Sequence, residues 1–439
     1  MLTSAIKSLP IYPNIQRFLI AYSGGLDSHV LLHSLAKEQQ DLGEVQLLAV
    51  HINHGLSANA DKWAAHCAEQ CAQLGVAFKQ LEIDARAEVG ESPEAAAREG
   101  RYDIIASLME EGDCLLTAHH QDDQAETLLL QLLRGAGPRG LAAMPAYARF
   151  AEGWHARPLL GFRREQLLAY AEEAGLSWVD DETNSDTRYE RNFLRHDILP
   201  LLKNRYPALA ATLSRSAGLC AEAAELLATV AREDLTAVQR DEQSLSVTAL
   251  QMLGEVRSRN LLHQWCRDRG LPTPSAAQLQ CVWQEVIGAA VDSEPVVSWP
   301  GAEARRFRDV LYINQPLPAH DAAQCLPWDG QQELAISPLG RLHAEPVVGQ
   351  GIAQSALQGR QLTIRFRQGG EQLRPVGRDG HHSLKKLFQE AGIPPWQRER
   401  IPLLYADDEL LAVAGLWVAQ EAAARGDESG LSLRWSIPG

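Results

Sequence analysis

A glycine-containing turn near the start of the chain combines the residue types that bind phosphate groups. It lies between an apolar run, Phe18 to Tyr22, and a stretch of helical spacing that reaches Lys37. Paired glycines let the backbone approach an anion with its N–H groups, and the following helix N-terminus adds partial positive charge. Serine hydroxyls can donate to phosphate oxygens, and an aspartate can hold Mg²⁺ against them. The turn consists of Ser23, Gly24, Gly25, Leu26, Asp27 and Ser28.

The type of phosphate chemistry is narrowed by a motif that the chain lacks. No Gly-x-x-x-x-Gly-Lys-Ser/Thr sequence occurs, so no lysine is placed to reach a γ-phosphate. Walker-type γ-phosphoryl transfer is therefore not expected. An ordinary glycine turn with a serine cap is the simpler alternative, and the flanking strand and helix favour phosphate binding over it.

A second polar constellation, His119-His120-Gln121-Asp122-Asp123-Gln124-Ala125-Glu126, follows an apolar run. Asp123 and Glu126 are three residues apart at the start of a predicted helix and so share a face. Two such carboxylates can bind an ammonium group, and one can take its proton. Complementation of the helix dipole and a metal site are the alternatives.

Strand-like and helix-like patterns alternate over the first 200 residues, which is typical of an α/β domain with a doubly wound parallel sheet. We predict strands at 18–22, 45–52, 78–83 and 113–119, and helices at 27–37, 60–74, 93–110 and 121–133. An Ala- and Leu-rich helical domain follows, in which Ser275 begins a capping box. A small α+β domain with one helix at 383–392 ends the chain. The predicted boundaries are 1–206, 207–315, a linker region at 316–350, and 351–439.

Composition sets limits on the class of protein. The chain has 439 residues, 41 Lys and Arg against 56 Asp and Glu, a net charge of −15 and seven cysteines at irregular positions. With no signal peptide and no long apolar segment, we expect a cytoplasmic protein with reduced thiols and no membrane partner. Net negative charge argues against nucleic acid as a partner. Residues 360–400 nevertheless hold nine Lys or Arg and only four acids.

The hexapeptide turn resembles the pyrophosphate loop of the N-type ATP pyrophosphatases (the PP-loop superfamily). The segment His119 to Thr127, the Arg98–Tyr102 region, the Arg191-Asn192-x-x-Arg195 segment and residues 377–398 together resemble the tRNA(Ile)-lysidine synthetase family. All three predicted domains take part in this resemblance. The family often has arginines where His381 and His382 stand here.

The resemblance implies an ATP-dependent ligase. In such a reaction ATP adenylates the first anticodon cytidine of a CAU-bearing isoleucine tRNA, pyrophosphate leaves, and L-lysine displaces AMP at C2. The first domain would adenylate, and the helical and last domains would bind tRNA. A homodimer stays open as an oligomeric state.

The resemblance also assigns roles to residues. Those expected to act in catalysis are Asp27, Asp123, Glu126 and Arg191. ATP is expected at the hexapeptide, His51 and Arg98, with Mg²⁺ on Asp27, and lysine at Asp123 and Glu126. Contacts with tRNA are expected from Arg195, Arg378, Lys385 and Lys386.

Three other classes of protein remain open. A tRNA 2-thiolase of the same superfamily would use paired cysteines, for which the chain offers Cys67 and Cys71. A metal-dependent hydrolase could be built on His119, His120, Asp122 and Asp123. An RNA-binding protein without catalysis would leave the acids of both motifs unused.

Overall fold

The computed structural model describes residues 2–53, 59–82, 93–179, 186–290 and 293–436. It consists of two compact units, Met1–Val230 and Ala231–Gly439. No helix in these described ranges combines the length and the apolar character needed to cross a bilayer.

The first unit is an α/β domain, as the sequence predicts. Its strands are β1 (Arg17–Ala21), β2 (Gln46–Asn53), β3 (Ala77–Glu82), β4 (Asp113–Leu116), β5 (Tyr147–Phe150) and β6 (Gly153–Ala156). Its helices are α1 (Leu2–Lys7), α2 (Leu26–Lys37), α3 (Ala60–Leu74), α4 (Pro93–Ala106), α5 (Gln121–Leu133), α6 (Pro138–Leu141), α7 (Arg164–Glu173), α8 (Glu190–Phe193), α9 (Leu199–Arg205) and α10 (Leu209–Val238), the last of which reaches into the second unit.

The six strands form one sheet in the order β3-β2-β1-β4-β6-β5. All neighbours are parallel except β5, which pairs antiparallel with β6 at the edge. Both faces are covered: Phe18 and Ile20 of β1 belong to one apolar cluster, and Leu19 between them belongs to another. A parallel sheet buried on both sides explains why these strands read as continuous apolar runs. The sequence analysis did not predict β5 and β6.

The strand order places the two polar constellations next to each other. The chain runs from β1 outward through β2 and β3, then returns to β4 on the other side of β1. The carboxyl ends of β1 and β4 therefore flank a switch point, where ligands of doubly wound sheets bind. The hexapeptide follows β1 and the His119–Glu126 segment follows β4, so both lie at this switch point.

Gly24 forms the sharp part of the turn after β1. Its φ is +84°, in the region that L side chains rarely adopt. A Cβ added there would lie 2.8 Å from Sγ of Cys67, which is fully buried in α3. The amide of Val179 also donates to the Gly24 carbonyl oxygen at 2.9 Å. Glycine is thus required at position 24 by backbone conformation and by packing.

The second unit begins with a mixed region. Its helices are α11 (Val247–Leu253), α12 (Glu255–Asp268) and α13 (Ala276–Cys281), which continues as a π-helical segment, Val282–Ile287. The predicted capping box of Ser275 with Gln278 is present. An antiparallel sheet that the sequence analysis did not predict packs with them, and its strands, in the order β7-β8-β11-β10-β9, are β7 (Gln239–Asp241), β8 (Ser244–Ser246), β9 (Val296–Trp299), β10 (Ala302–Phe307) and β11 (Val310–Asn314).

The last part of the chain is rich in short antiparallel strands, with the predicted helix at α15 (Leu384–Glu390). The other helices are α14 (Gln354–Leu357) and α16 (Pro395–Arg398). The strands are β12 (Leu326–Pro327), β13 (Leu334–Ile336), β14 (Gly340–Val348), β15 (Ile352–Ala353), β16 (Leu362–Arg365), β17 (Gln372–Leu373), β18 (His382–Ser383), β19 (Leu403–Ala406), β20 (Glu409–Val413), β21 (Trp417–Val418) and β22 (Ser429–Ser436).

The segment 316–350, interpreted from sequence as a linker, contains strands of this last part. β14 pairs over eight residues with β22, from Arg341 opposite Ser436 to Val348 opposite Ser429. Of the residues that suggested a linker, Pro316, Pro318 and Gly330 lie outside the strands, whereas Pro327 is the last residue of β12. The domain boundaries themselves remain a prediction.

We expect Gly24→Ala to lower the free energy of unfolding by about 3 kcal/mol, because left-handed backbone strain adds to a clash in a packed interior. Gly75→Ala is the matched control: its φ is +67° in the left-handed region, and a Cβ there would meet nothing within 4 Å. That control should cost only the backbone strain, about 1 kcal/mol. Urea denaturation followed by circular dichroism measures both, and equal losses would show that the contact with Cys67 does not matter.

Candidate active site

The turn after β1 presents backbone amides that have no acceptor in the described part of the chain. The first backbone hydrogen bond of α2 runs from the His29 amide to the Gly25 carbonyl oxygen, at 3.0 Å. The amides of Leu26, Asp27 and Ser28 precede it, so no carbonyl of the preceding turn accepts from them. Three adjacent free N–H groups at a helix N-terminus form an anion-binding site.

The hydroxyls of the two serines hold the turn in shape. Ser28 Oγ donates to the Gly25 carbonyl oxygen at 3.0 Å, and Ser23 Oγ lies 3.1 Å from Ser28 Oγ. Ser23 Oγ also accepts from the Gly25 amide at 3.3 Å. The turn is therefore pre-formed by its own side chains, and a ligand would not have to order it.

Asp27 has one carboxylate oxygen that is buried and unpaired. Its Oδ2 lies 3.5 Å from Nε2 of His120, whereas Oδ1 is buried without a hydrogen-bond partner. A buried carboxylate oxygen without a partner is costly, and a cation would satisfy it. Mg²⁺ commonly takes one or two carboxylates and completes its shell with phosphate oxygens and water. The position of Asp27 beside the free amides fits this use.

His51, predicted to contact ATP, supports the turn from the neighbouring strand. It lies in β2, buried, and its Nδ1 donates to the Tyr22 carbonyl oxygen at 2.9 Å. Its ring also stacks on Phe78. Burial lowers the pKa of His51, so the ring is neutral at pH 7. A contact with ATP remains a prediction.

The start of α5 is held by a reciprocal cap between His120 and Asp123. Nδ1 of His120 accepts from the Asp122 amide at 3.2 Å, while Asp123 Oδ2 accepts from the His120 amide at 2.9 Å. Because Nδ1 is an acceptor, the ring proton is on Nε2, which lies 3.5 Å from Asp27 Oδ2 and 3.4 Å from Asp123 Oδ2. His120 thus links the turn after β1 to the acids after β4.

Asp123 and Glu126 do lie on one face of α5, as their spacing predicts, and two arginines bind both of them. Arg191 donates from Nε to Glu126 Oε2 at 2.7 Å and from Nη2 to Asp123 Oδ1 at 2.9 Å. Arg195 donates from Nε to Glu126 Oε1 at 2.7 Å, and from Nη2 to Glu126 Oε2 at 2.9 Å and Asp123 Oδ1 at 3.0 Å. Glu126 is 1% exposed, so these arginines compensate a deeply buried charge.

The charges of this cluster shift the pKa values of its members. Burial raises the pKa of Asp123, but His120, Arg191 and His119 prevail and lower it to about 2. For His120, burial lowers the pKa, and the carboxylates of Asp27, Asp123 and Asp122 more than offset it, so the net shift is upward. Burial lowers the pKa of Arg195, but the carboxylates of Glu126 and Asp123 outweigh burial, so the net shift is upward. Asp123 is therefore ionised at neutral pH.

Asp122 binds neither Arg191 nor Arg195 and has a structural role. Its Oδ1 pairs with Lys203 Nζ, and its Oδ2 accepts from the Arg164 amide at 3.3 Å. The carboxylate thereby joins the starts of α5 and α7 to α9. Of the four residues considered for a metal-dependent hydrolase, Asp122 is thus already engaged.

The geometry disfavours the hydrolase and the thiolase. Over the described ranges, no three His, Cys, Asp or Glu side chains are grouped to hold a metal ion. Cys67 and Cys71 are fully buried, and burial raises the pKa of each thiol to about 12. Neither cysteine is exposed or ionised as sulfur chemistry would require.

Of the residues predicted to contact tRNA in the last domain, Lys385 and Lys386 lie on α15, and Arg378 precedes this helix. Leu384, Leu387 and Phe388 are its buried face, whereas Lys385 and Lys386 are exposed. Arg378 pairs with Glu390, and Lys386 Nζ lies 4.0 Å from the same carboxylate. Lys385 has no acid within 4 Å among the described residues, so no ion pair there neutralises its charge. Their roles remain predictions.

Arg98, predicted to contact ATP, lies in α4, and its side chain falls outside the described part of the structure. Residues 54–58 and 180–185 also lie outside it. The contact of Arg98 with ATP stays a prediction.

Sequence reasoning missed the joint role of Arg191 and Arg195. It separated them, with Arg191 in catalysis and Arg195 on tRNA, although the structure places both on the same two acids. Their spacing of four residues, facing an acid pair spaced by three, was a signal that could have grouped them. The bridge formed by His120 and the pairing of Lys203 with Asp122 join distant segments, and no local pattern indicates them.

Three family models match successive parts of the chain. A PP-loop domain matches residues 2–202, a TilS substrate binding domain matches 245–312, and a TilS substrate C-terminal domain matches 362–435. A U34-tRNA thiolase, NcsA, from Methanococcus maripaludis matches among solved structures at 19% identity and a TM-score of 0.43. That match covers 50% of this chain and 78% of the thiolase.

Curated relatives match almost the whole length. The tRNA(Ile)-lysidine synthase of Coxiella burnetii is 43% identical over 434 residues, covering 99% of this chain and 96% of its own. The tRNA(Ile)-lysidine synthase of Methylococcus capsulatus is 44% identical over 422 residues, covering 95% and 96%. With both polar constellations in place and identity at this level over its full length, the chain belongs to the tRNA(Ile)-lysidine synthase family.

Proposed function

We propose that the protein is an ATP-dependent carbon–nitrogen ligase that attaches L-lysine to C2 of the first anticodon cytidine of CAU-bearing isoleucine tRNA. The observation that supports this most directly is the adjacency of an anion site and an acid pair. The free amides of Leu26–Ser28 and the carboxylates of Asp123 and Glu126 are joined through Asp27 and His120. A reaction that expels pyrophosphate and then admits an amine needs both in one site.

In the first step, the cytidine O2 attacks the α-phosphorus of ATP, and the bond to the bridging oxygen of the β-phosphate breaks. Pyrophosphate leaves with that electron pair, and the base carries AMP on O2. The amides of Leu26, Asp27 and Ser28 would bind the departing diphosphate, because they are preorganised donors that need no reorientation. The unpaired cytidine of an anticodon loop can reach such a pocket at low unstacking cost.

In the second step, the ε-amine of lysine attacks C2 of the adenylated base, and the C2–O2 bond breaks with release of AMP. The amine must lose a proton to be a nucleophile, and in this proposal the carboxylates of Asp123 and Glu126 would bind the ammonium and accept that proton. Lysine itself as the amino acid, and the roles of these acids, rest on the chemistry of the site and on the family.

Mg²⁺ fits the chain at Asp27, whose Oδ1 is buried without a partner beside the free amides. When bound there, the ion would neutralise charge on the phosphate oxygens. Around it, His120 would hold the other carboxylate oxygen of Asp27, so that Oδ1 stays directed at the cation.

The exposed Lys385 and Lys386 of α15 and Arg378 near it are proposed to contact tRNA phosphates, which would fix the orientation of the RNA without reading its sequence. Most arginines in residues 360–400 are paired with acids, so the usable positive charge is smaller than the count suggests. A homodimer stays a prediction.

Asp123→Asn should abolish lysine transfer, a loss of roughly 10²–10⁴-fold if only its acid–base function is removed. The protein is incubated with ATP labelled at the α-phosphate, labelled lysine and CAU-anticodon isoleucine tRNA. We expect lysine in the RNA, with release of AMP and pyrophosphate, for the unaltered protein. For the variant we expect retained tRNA binding without lysine incorporation.

Glu165→Gln is the matched control, since Glu165 is an exposed acid in the first turn of another helix, α7, of the same unit. It should transfer lysine normally. ATP-dependent incorporation of sulfur instead of lysine would replace the proposed reaction, and normal transfer by Asp123→Asn would remove Asp123 from it.

Asp27→Asn should raise the Mg²⁺ concentration needed for half-maximal release of pyrophosphate, because an amide oxygen is a weaker ligand than a carboxylate. Titration of MgCl₂ at fixed ATP and tRNA measures this. Asp41→Asn, which changes an exposed acid of the same unit, should leave the titration unchanged. An unaltered Mg²⁺ requirement in Asp27→Asn would show that the ion binds elsewhere.

A further inference from the structure

Arg195 covers the carboxylate that the amine is proposed to reach. Its Nε and Nη2 bind both oxygens of Glu126, at 2.7 and 2.9 Å, in a bidentate pair. The same Nη2 also reaches Asp123 Oδ1 at 3.0 Å. Because Arg191 also donates to Glu126 Oε2, this carboxylate already accepts from two guanidiniums and has little capacity for a third cation.

The charges of the cluster lead to the same conclusion. Two buried carboxylates, Asp123 and Glu126, face two guanidiniums, Arg191 and Arg195, so the pair is already neutralised. An entering ammonium would place three cations around two anions, with His120 beside them. A desolvated site with such an excess of charge of one sign is strongly disfavoured. If one arginine leaves, the remaining cluster carries one unit of negative charge, which is the complement of one ammonium.

We propose that Arg195 occupies the ammonium subsite of the free enzyme and must leave Glu126 before the ε-amine of the amino acid can bind. This inference rests on the proposed function, and it adds a residue that controls access of the amine. The contact of Arg195 with tRNA, predicted from sequence, stays a prediction.

The anion site and Arg195 belong to one chain of contacts. Arg195 binds Asp123 Oδ1, Asp123 Oδ2 lies 3.4 Å from His120 Nε2, and His120 Nε2 lies 3.5 Å from Oδ2 of Asp27, which belongs to the turn with the free amides. A nucleotide or pyrophosphate bound at that turn would add anionic oxygens to the same cluster and could accept the released guanidinium. The Arg195 side chain is 34% exposed, so it can move without opening the core. Phosphate binding would then free Glu126, and the amine would bind after the nucleotide.

Arg191 is not expected to be the residue that moves. It binds one oxygen of Glu126 and one of Asp123, so its removal leaves the bidentate pair of Arg195 with Glu126 intact. Arg191 is also less exposed, at 24%. Arg195 lies in the π-helical segment Leu194–Ile198, a type of turn that is frequent at functional sites.

Direct binding measurements without RNA or nucleotide test the proposal. By calorimetry, Arg195→Gln should bind lysine at least about tenfold more tightly than the unaltered protein. In the unaltered protein, the state with Arg195 on Glu126 competes with lysine, and a population of about nine-tenths or more for that state weakens the apparent affinity by this factor. Norleucine, which has the same chain without the ε-amine, should bind equally to both proteins. Arg195→Lys keeps a cation in the subsite and should bind lysine as weakly as the unaltered protein, and Arg191→Gln should gain less than Arg195→Gln.

Three results would overturn the proposal: unchanged or weaker lysine binding by Arg195→Gln, an equal gain for norleucine, or a larger gain for Arg191→Gln. A measurement on the unaltered protein is independent of any folding defect. Pyrophosphate with Mg²⁺ should tighten lysine binding, and lack of any change would also count against the proposal. Lysine transfer to tRNA by the unaltered protein is measured separately, so failure here leaves the ligase assignment standing.

Discussion

The need to hold opposite charges side by side at the end of one sheet governs this site. A ligand that carries phosphates requires donors and cations, whereas an ammonium requires carboxylates. Both requirements are met within one cluster, because β1 and β4 are neighbouring strands and each is followed by the start of a helix. His120 joins the two halves, since its Nε2 lies within 3.5 Å of a carboxylate oxygen on each side. Without that bridge, Asp27 and Asp123 would repel each other in a poorly solvated place.

The burial of the acids explains much of the remaining architecture. Glu126 and Asp123 are almost fully enclosed, and an uncompensated charge there would cost several kcal/mol. The segment with α8 brings Arg191 and Arg195 to them, and the exposed pair of Arg134 with Glu190 ties this segment to the end of α5. In the proposed reaction, the same compensation that stabilises the free protein closes the amine site. Stability and substrate access are therefore opposed at this position.

Much of the fold could be predicted because the sequence patterns are local. The helix 121–133 and the helix 60–74 were predicted with the bounds that the structure has, since apolar spacing and a terminal glycine mark them. The short strands β5 and β6 and the sheet of the middle region have runs of three to six residues, and their stability comes from long-range pairing that no local pattern reveals. For the same reason, the prolines and glycines of 316–350 resembled a linker while β14 was pairing with β22.

In the functional site, too, the local patterns could be predicted from sequence and the long-range contacts could not. The hexapeptide and the acid pair were recognisable because their spacing is short, and their adjacency followed from the order of strands. The spacing of Arg191 and Arg195 could group them with each other, but it could not assign them to these acids, because they lie more than sixty residues away along the chain. Sequence indicated which groups carry charge, and only the fold shows which charges are neutralised.

The most direct measurement is a structure of the protein with Mg²⁺ and an ATP analogue that cannot be cleaved between its α- and β-phosphates. We expect the β- and γ-phosphates on the amides of Leu26, Asp27 and Ser28, with the ion between them and Asp27 Oδ1. The α-phosphorus should then face the side of the cluster that holds Asp123. Phosphates bound away from these amides, or Asp27 left without a cation in the complex, would contradict the assignment of this turn.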